Sequence, residues 1–267
     1  MAVPTLSSLE LESRPSSVWI VWINRPAKQN AMPERFWPEI REAFAYLRQQ
    51  RSRAVILAGR GKHFSSGIDV KGFPFAKLFG TSACVGRRGE DFIQGVKAMQ
   101  DAFSELERAP FPVIAAIHGA CVGAGLDLVC AADIRICSED AVFSIKEIDL
   151  AIAADLGTLQ RLPKIIGNES FVREVALTGR FFKASEARQV GLVSAVIPGN
   201  DDLLQAAVTL ANKIASKSPV TVSVVKRSLI YSRDHAVQEG LDHVATMNAA
   251  ALQSDDTKHA LMAIAKL

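Results

Sequence analysis

Three acids interrupt an otherwise apolar stretch, KEIDLAIAADLGTLQRLPKIIG: Glu147, Asp149 and Asp155 stand among Ile, Leu, Ala and Gly. A fourth, Asp127, follows the glycines of HGACVGAGLDL (118–128). Carboxylates are seldom fully buried unless something pairs with them or uses them. The chemistry open to such a set is proton transfer, and the Ala, Ile and Leu neighbours of Asp155 suit a raised carboxyl pKa. Each acid also has a structural reading. Asp155 is placed to cap a helix beginning LGTLQRL. Asp127 could be a buried acid that shapes its turn, and Asp149 reads as a loop or cap residue.

Two glycine turns accompany the acids. KHFSSGIDVK (62–71) and HGACVGAGLDL each follow a buried strand and present small residues where the chain bends. Glycine lets the backbone point N–H groups outward, and N–H groups at a helix start donate to an anion. Two such turns facing one another would hold an enolate oxygen between main-chain donors. Taken singly, each is equally an ordinary strand-to-helix turn with Asp69 as a local cap. Neither fits a dinucleotide fingerprint or a P-loop. His118 opens the second turn and reads as a packed core histidine. His63, His235, His243 and His259 read as surface groups, and Asp133 as structural.

The elements that must position these residues follow from periodicity. VWIVWINRP (18–26), RAVILAG (53–59) and FPVIAAIHG (111–119) read as strands, with IRICS and AVFSI as shorter ones. PERFWPEIREAFAYLRQQ (33–50) and FIQGVKAMQDAFSELERAP (92–110) read as helices, and GAGLDLVCAAD (123–133) as a tightly packed helix start. Strands alternating with helices argue for an α/β fold with much parallel pairing. The segment 72–91 has no clear period and reads as a mobile loop, lining an apolar substrate tunnel or lying on the surface. Beyond about residue 200 the pattern becomes helical. The chain therefore divides into a core over 1–200, which carries the site, and a helical C-terminal region over 201–267.

Composition narrows the class. The 267 residues are 49% hydrophobic and 22% charged, with a net charge of +3 and no block of five like charges, which gives no strong reason to expect a nucleic-acid groove. Cys84, Cys121, Cys130 and Cys137 form no C-x-x-C pair and have no histidine at zinc-ligand spacing, so they read as small buried hydrophobes rather than a disulfide framework or metal site. No apolar run reaches the roughly 18 residues that span a bilayer. The N-terminus looks like neither a secretory signal nor a transit peptide. The final Ala265-Lys266-Leu267 is similar to the S-K-L peroxisome address, with Ala for Ser.

FSSGID and HGACVGAGLDL, followed by IKEIDLAIAADLGTLQRLPKIIG, resemble the enoyl-CoA hydratase/isomerase (crotonase) superfamily. The likeness runs from INRPAKQNAM through GLVSAVIP into SKSPVTVSVVKRSLIYSRDH. It implies a spiral of ββα units with a helical C-terminal trimerisation region, trimers often paired into hexamers, and an acyl-CoA substrate with no metal or redox cofactor. It implies an oxyanion hole made by the amides of Ile68 and Ala124, the latter usually a glycine in the family. Lys28, Ser66, Gly67, Asp69, Val70, Lys71 and Gly123 then fall against the substrate, the two lysines towards the nucleotide part of CoA. The set Asp127, Glu147, Asp155 looks like the Δ3,5-Δ2,4-dienoyl-CoA isomerase subgroup, whereas hydratases have a glycine at the position of Asp155. By that resemblance Glu147, ionised at rest, takes the C2 proton, Asp155, protonated at rest, supplies the C6 proton, and Asp127 orients or polarises. Eight residues of straight helix span ~12 Å, so 147–155 must fold back if both acids are to flank one acyl chain. The alternatives are a 2-enoyl-CoA hydratase, a Δ3-Δ2 enoyl-CoA isomerase and, outside enzymes, an RNA-binding protein of the same fold. The tripeptide implies recognition by the peroxisomal import receptor, and a cytosolic protein if it is not read.

Overall fold

The computed structural model describes residues 3–74, 80 and 82–264. Its main layer is a six-stranded sheet in the order β1 (Leu9–Arg14), β2 (Val18–Ile23), β3 (Ala54–Gly59), β4 (Val113–Ile117), β6 (Ile134–Ser138), β9 (Ala195–Ile197). Only the β1–β2 pair is antiparallel. A parallel sheet covered on both faces needs continuous apolar strands, and β2, VWIVWI, is buried throughout. Its alternation divides it between two cores. Trp19, Val21 and Ile23 face α1 (Phe36–Gln49) and α2 (Val85–Arg108). Val18, Ile20 and Trp22 face α7 (Asn200–Ala215), whose Leu203, Ala207, Ala211 and Ala215 recur every fourth residue on the packed side.

The second layer is a short sheet, β5 (Ala120–Val122), β7 (Val142–Ser144), β8 (Phe182–Lys183). It continues as isolated parallel bridges, Ser65 to Cys121 and Met32 to Ile68. Each strand of the large sheet from β2 to β6 thus leads into a short extended step of the second layer: β2 to Met32, β3 to Ser65, β4 to β5, β6 to β7. Those steps stack into a staircase, the spiral of ββα turns expected from the sequence. α3 (Ala124–Cys130), α4 (Thr158–Ile166), α5 (Glu169–Thr178) and α6 (Ala184–Gln189) complete the core. The described chain from residue 200 on is helical: α7, then α8 (Pro219–Arg233), α9 (Val237–Ala251) and α10 (Asp255–Ile264).

Several sequence expectations change here. Residues 85–91, expected in a loop, belong to α2, which starts seven residues before the expected Phe92. Phe73 and Pro74 line a cavity of about 490 Å³ with Trp37, Pro38, Ala98 and Met99; residues 75–79 and 81 of the expected loop, and the terminal tripeptide, lie outside the described residues. Cys84 is exposed, unlike the three buried cysteines. His63 is no idle surface group, because its Nδ1 accepts the Ala120 N–H at 3.1 Å. His243 is half-buried and stacks on Tyr231. His118 is the packed histidine expected, its Nε2 2.9 Å from the Gly61 carbonyl oxygen. Among the described residues no His, Cys, Asp and Glu cluster could hold a metal ion, and no helix is long and apolar enough to cross a membrane.

Candidate active site

The two glycine turns meet. Gly67 adopts φ +89°, and a Cβ there would lie 2.9 Å from the Val122 carbonyl oxygen and 3.4 Å from the Ala124 nitrogen. The Gly67 carbonyl accepts the Met32 N–H at 2.8 Å. A trans peptide points its N–H opposite its C=O, so the Ile68 N–H is turned away from Met32. The second turn works likewise. The Gly123 carbonyl accepts from Leu126 and Asp127 at 2.7 and 3.1 Å, which aims it into α3 and turns the Ala124 N–H backwards out of the helix. Neither amide donates to an acceptor among the described residues. Gly123 stands at φ +55°, ψ −126°, a conformation that favours glycine, and α3 begins with Ala124.

The acids gather behind these turns. Asp127, on the first turn of α3, is 1% exposed, and its Oδ1 accepts the Thr158 N–H at 2.5 Å. Glu147 lies in a 3₁₀ turn, Lys146–Leu150, and its Oε1 would be 3.1 Å from a Cβ on Gly123. The chain then folds back as the spacing required. The Ile152 N–H returns to the Glu147 carbonyl at 3.1 Å, Ala151 is left-handed at φ +56°, and Gly157 at φ +137° precedes α4. Gly157, not Asp155, is therefore the residue at the N-cap, and the Asp155 side chain is left for another use.

Burial pushes the Asp127 carboxyl up to about 6, partly offset by the Thr158 hydrogen bond. Burial and then the neighbouring Asp127 push Glu147 up to about 8. Burial raises Asp155 as well. Burial thus favours the protonated form of Asp155 relative to a free carboxyl. For Glu147, expected ionised at rest, burial and the like charge beside it favour the protonated form relative to a free carboxyl. Its Oε2 is buried with no hydrogen-bond donor among the described residues, which a proton shared with Asp127 would satisfy. Between about 6 and about 8 the pair carries one proton and one negative charge, so it can still accept a proton.

The remaining expected residues surround the first turn. Ser66 donates its N–H to the Gln29 carbonyl at 3.0 Å. Asp69 is held by Arg25, whose two terminal nitrogens each lie 3.0 Å from its Oδ2, and by the Gly72 N–H at 3.1 Å; burial raises its pKa, but these hydrogen bonds and the charges of Arg25 and Lys28 together hold it below its ordinary value. Val70, Lys71 and Lys28 are exposed. Sequence reasoning missed the residues that fix the loop of Asp155. Gln100, on α2, donates to the Asp155 carbonyl at 2.6 Å. Arg161 spans to Ser104 and Glu107 at 3.0 and 2.9 Å, and Arg233 of α8 closes on the other oxygen of Glu107. A partner 55 residues away leaves no periodic signal.

The family model for enoyl-CoA hydratase/isomerase matches residues 13–266. The chain belongs to the enoyl-CoA hydratase/isomerase family. The mitochondrial Δ3,5-Δ2,4-dienoyl-CoA isomerase of Rattus norvegicus is 47% identical over 250 residues, covering 93% of this chain and 76% of the relative. The peroxisomal Δ3,5-Δ2,4-dienoyl-CoA isomerase of Arabidopsis thaliana is 46% identical, covering 98% and 96%. The crystal structure of enoyl-CoA hydratase from Bacillus anthracis superposes with a TM-score of 0.86 at 29% identity, covering 97% and 96%. The staircase of β2–Met32, β3–Ser65, β4–β5 and β6–β7 is thus the crotonase fold.

Proposed function

We propose that this chain is an isomerase that converts 3,5-dienoyl-CoA into 2,4-dienoyl-CoA in the oxidation of unsaturated fatty acids. The observation that carries the reading is Asp155: a third, half-buried acid, brought to the Asp127–Glu147 pair by the fold-back of 147–155, in a chain about 46% identical to enzymes named for that reaction. The thioester oxygen is held by the amides of Ile68 and Ala124. Glu147, in its pair with Asp127, removes a proton from C2. The electrons of that C–H bond flow onto the thioester oxygen, giving a dienolate; as the carbonyl re-forms they return along the chain, and C6 takes the proton of Asp155. The product has C2=C3 and C4=C5, with no oxidant or added group, so the step requires no metal or redox cofactor. A single carboxylate would have to swing between two distant carbons, whereas two each serve one.

Lys28 and Lys71, exposed beside the first turn, are assigned to the phosphates of CoA, with Ser66, Gly67, Asp69, Val70 and Gly123 lining the thioester end. The helical C-terminal region is assigned to assembly into trimers or paired trimers. Ala265-Lys266-Leu267 is assigned as a peroxisomal address; the Arabidopsis relative is named peroxisomal, and mammalian relatives of equal similarity are named mitochondrial. Deleting Leu267 and imaging the protein in cells with peroxisomal import tests it: cytosolic protein supports the address, unchanged peroxisomal protein removes it.

The function itself is tested by substrate comparison. Purified protein given 3,5-dienoyl-CoA is expected to build the absorbance of a conjugated 2,4-dienoyl thioester far faster than it adds water to 2-enoyl-CoA. The reverse preference would make it a hydratase.

A further inference from the structure

The two amides that would hold the thioester oxygen lie on separate turns, and a contact to one oxygen needs both donors within a few tenths of an ångström of their places. Ser65 is where the turns are joined. It is fully buried. Its own N–H donates to the Ala120 carbonyl at 3.0 Å, and its carbonyl accepts the Val122 N–H at 3.0 Å. Those two bonds fix the first turn against the strand that leads into Gly123 and Ala124. The side chain fixes the rest. Oγ accepts the Gly67 N–H at 3.1 Å and donates to the Asn30 carbonyl at 2.9 Å. Asn30, also fully buried, in turn accepts the Arg25 N–H at 2.8 Å and donates to the carbonyls of Arg60 and His63. The hydroxyl therefore anchors the peptide before Gly67 to a rigid post. Gly67 at φ +89° then passes that orientation to the next peptide, the one bearing the Ile68 N–H. On the other side Gly125 packs so closely that a Cβ on it would lie 3.1 Å from Ser65 Cβ.

We infer that Ser65 is the positioning residue of the oxyanion hole: its hydroxyl, without touching substrate, sets the direction of the Ile68 N–H relative to the Ala124 N–H. Removing it leaves the Gly67 N–H and the Asn30 carbonyl buried without that partner, and the Gly67–Ile68 peptide is freed to rotate. The inference rests on the acyl-CoA reading of the site but not on which double bonds move.

The test is Ser65→Ala in the full chain, read in two ways. In steady-state kinetics kcat falls by ~10-fold or more, less than the ~10²–10³ of a deleted donor, while KM changes little. In the spectrum of bound 2,4-dienoyl-CoA, polarisation of the carbonyl by two aligned donors shifts absorbance to longer wavelength in the wild type. Ser65→Ala shows a smaller shift, and Ser65→Cys, whose thiol is a weak donor and acceptor, an intermediate one. If the alanine variant does not fold, the cysteine variant is held to the same two readings. Unchanged kcat overturns the inference, and so does a loss of kcat with the full spectral shift. Wild-type protein that shows the shift but does not isomerise 3,5-dienoyl-CoA overturns the proposed function and leaves this inference standing.

Discussion

Thr158 donates its N–H to Asp127 Oδ1 at 2.5 Å, which joins the acid behind the Gly123–Ala124 turn to the first residue of α4. That bond brings the loop of Asp155 against the Asp127–Glu147 pair. It also has an electrostatic effect: a donor on Asp127 favours its ionised form, and ionised Asp127 pushes the neighbouring Glu147 up.

Asp127→Asn therefore lowers the apparent pKa of Glu147, because it removes the like charge while leaving burial in place. Titration of the Glu147 carboxyl by NMR is expected to give a midpoint below that of the wild type, about 8. A midpoint that stays or moves up would show that Asp127 does not act on Glu147 in this way.

The same shifts bear on stability. Glu147 and Asp127 have folded-state pKa values above their ordinary values of 4.5 and 3.8, so the folded protein binds more protons. Their contribution is complete below those ordinary values and is lost as pH rises through about 6 and about 8. Urea unfolding of Glu147→Gln across pH 4.5–8 is expected to show a flatter decline than the wild type. An equally steep decline would contradict the assignment.

Gly67→Ala tests the meeting of the turns. The left-handed backbone costs roughly 1–3 kcal/mol for a residue with a Cβ, and that Cβ would press on the Val122 carbonyl oxygen at 2.9 Å. A lower melting temperature together with reduced kcat is expected. Wild-type values of both would mean that the turns are further apart than described.

Lys226 tests how the C-terminal helices are tied to the core. Buried on α8, it pairs with Asp133 at 2.8 Å and donates to the carbonyls of Leu106 and Phe111 at 2.6 and 2.9 Å. Burial lowers the lysine's pKa and raises the aspartate's despite the pairing. Lys226→Ala leaves Asp133 without its cation, and a loss of ~3–5 kcal/mol in denaturant unfolding is expected. A loss within the scatter of surface substitutions would show that the pair carries no net stability.

What the sequence made legible follows from the range of the interactions. The strands of the large sheet are short apolar runs, and their periodicity is local; β6 falls on IRICS residue for residue. The glycine turns and Asp127, Glu147 and Asp155 stood out because acids and glycines are rare company for buried strands. The start of α2 did not, because Gly86, Arg87, Arg88 and Gly89 carry no apolar stripe and two are poor helix formers. Nor did Ser65, Gln100 and Arg161, which matter through partners distant in the chain. The raised carboxyl of Glu147 is hidden for the same reason: Asp127, twenty residues earlier, sits against it only in the folded chain.

The central claim is a division of labour between two acids, and the exchange of the C2 proton with solvent tests it most directly. Asp155→Asn, incubated with 3,5-dienoyl-CoA in heavy water, is expected to lose turnover by ~10²–10⁴-fold yet to carry deuterium into C2 through the dienolate, whereas Glu147→Gln loses both. Undiminished turnover in Asp155→Asn, or continued C2 exchange in Glu147→Gln, would contradict it.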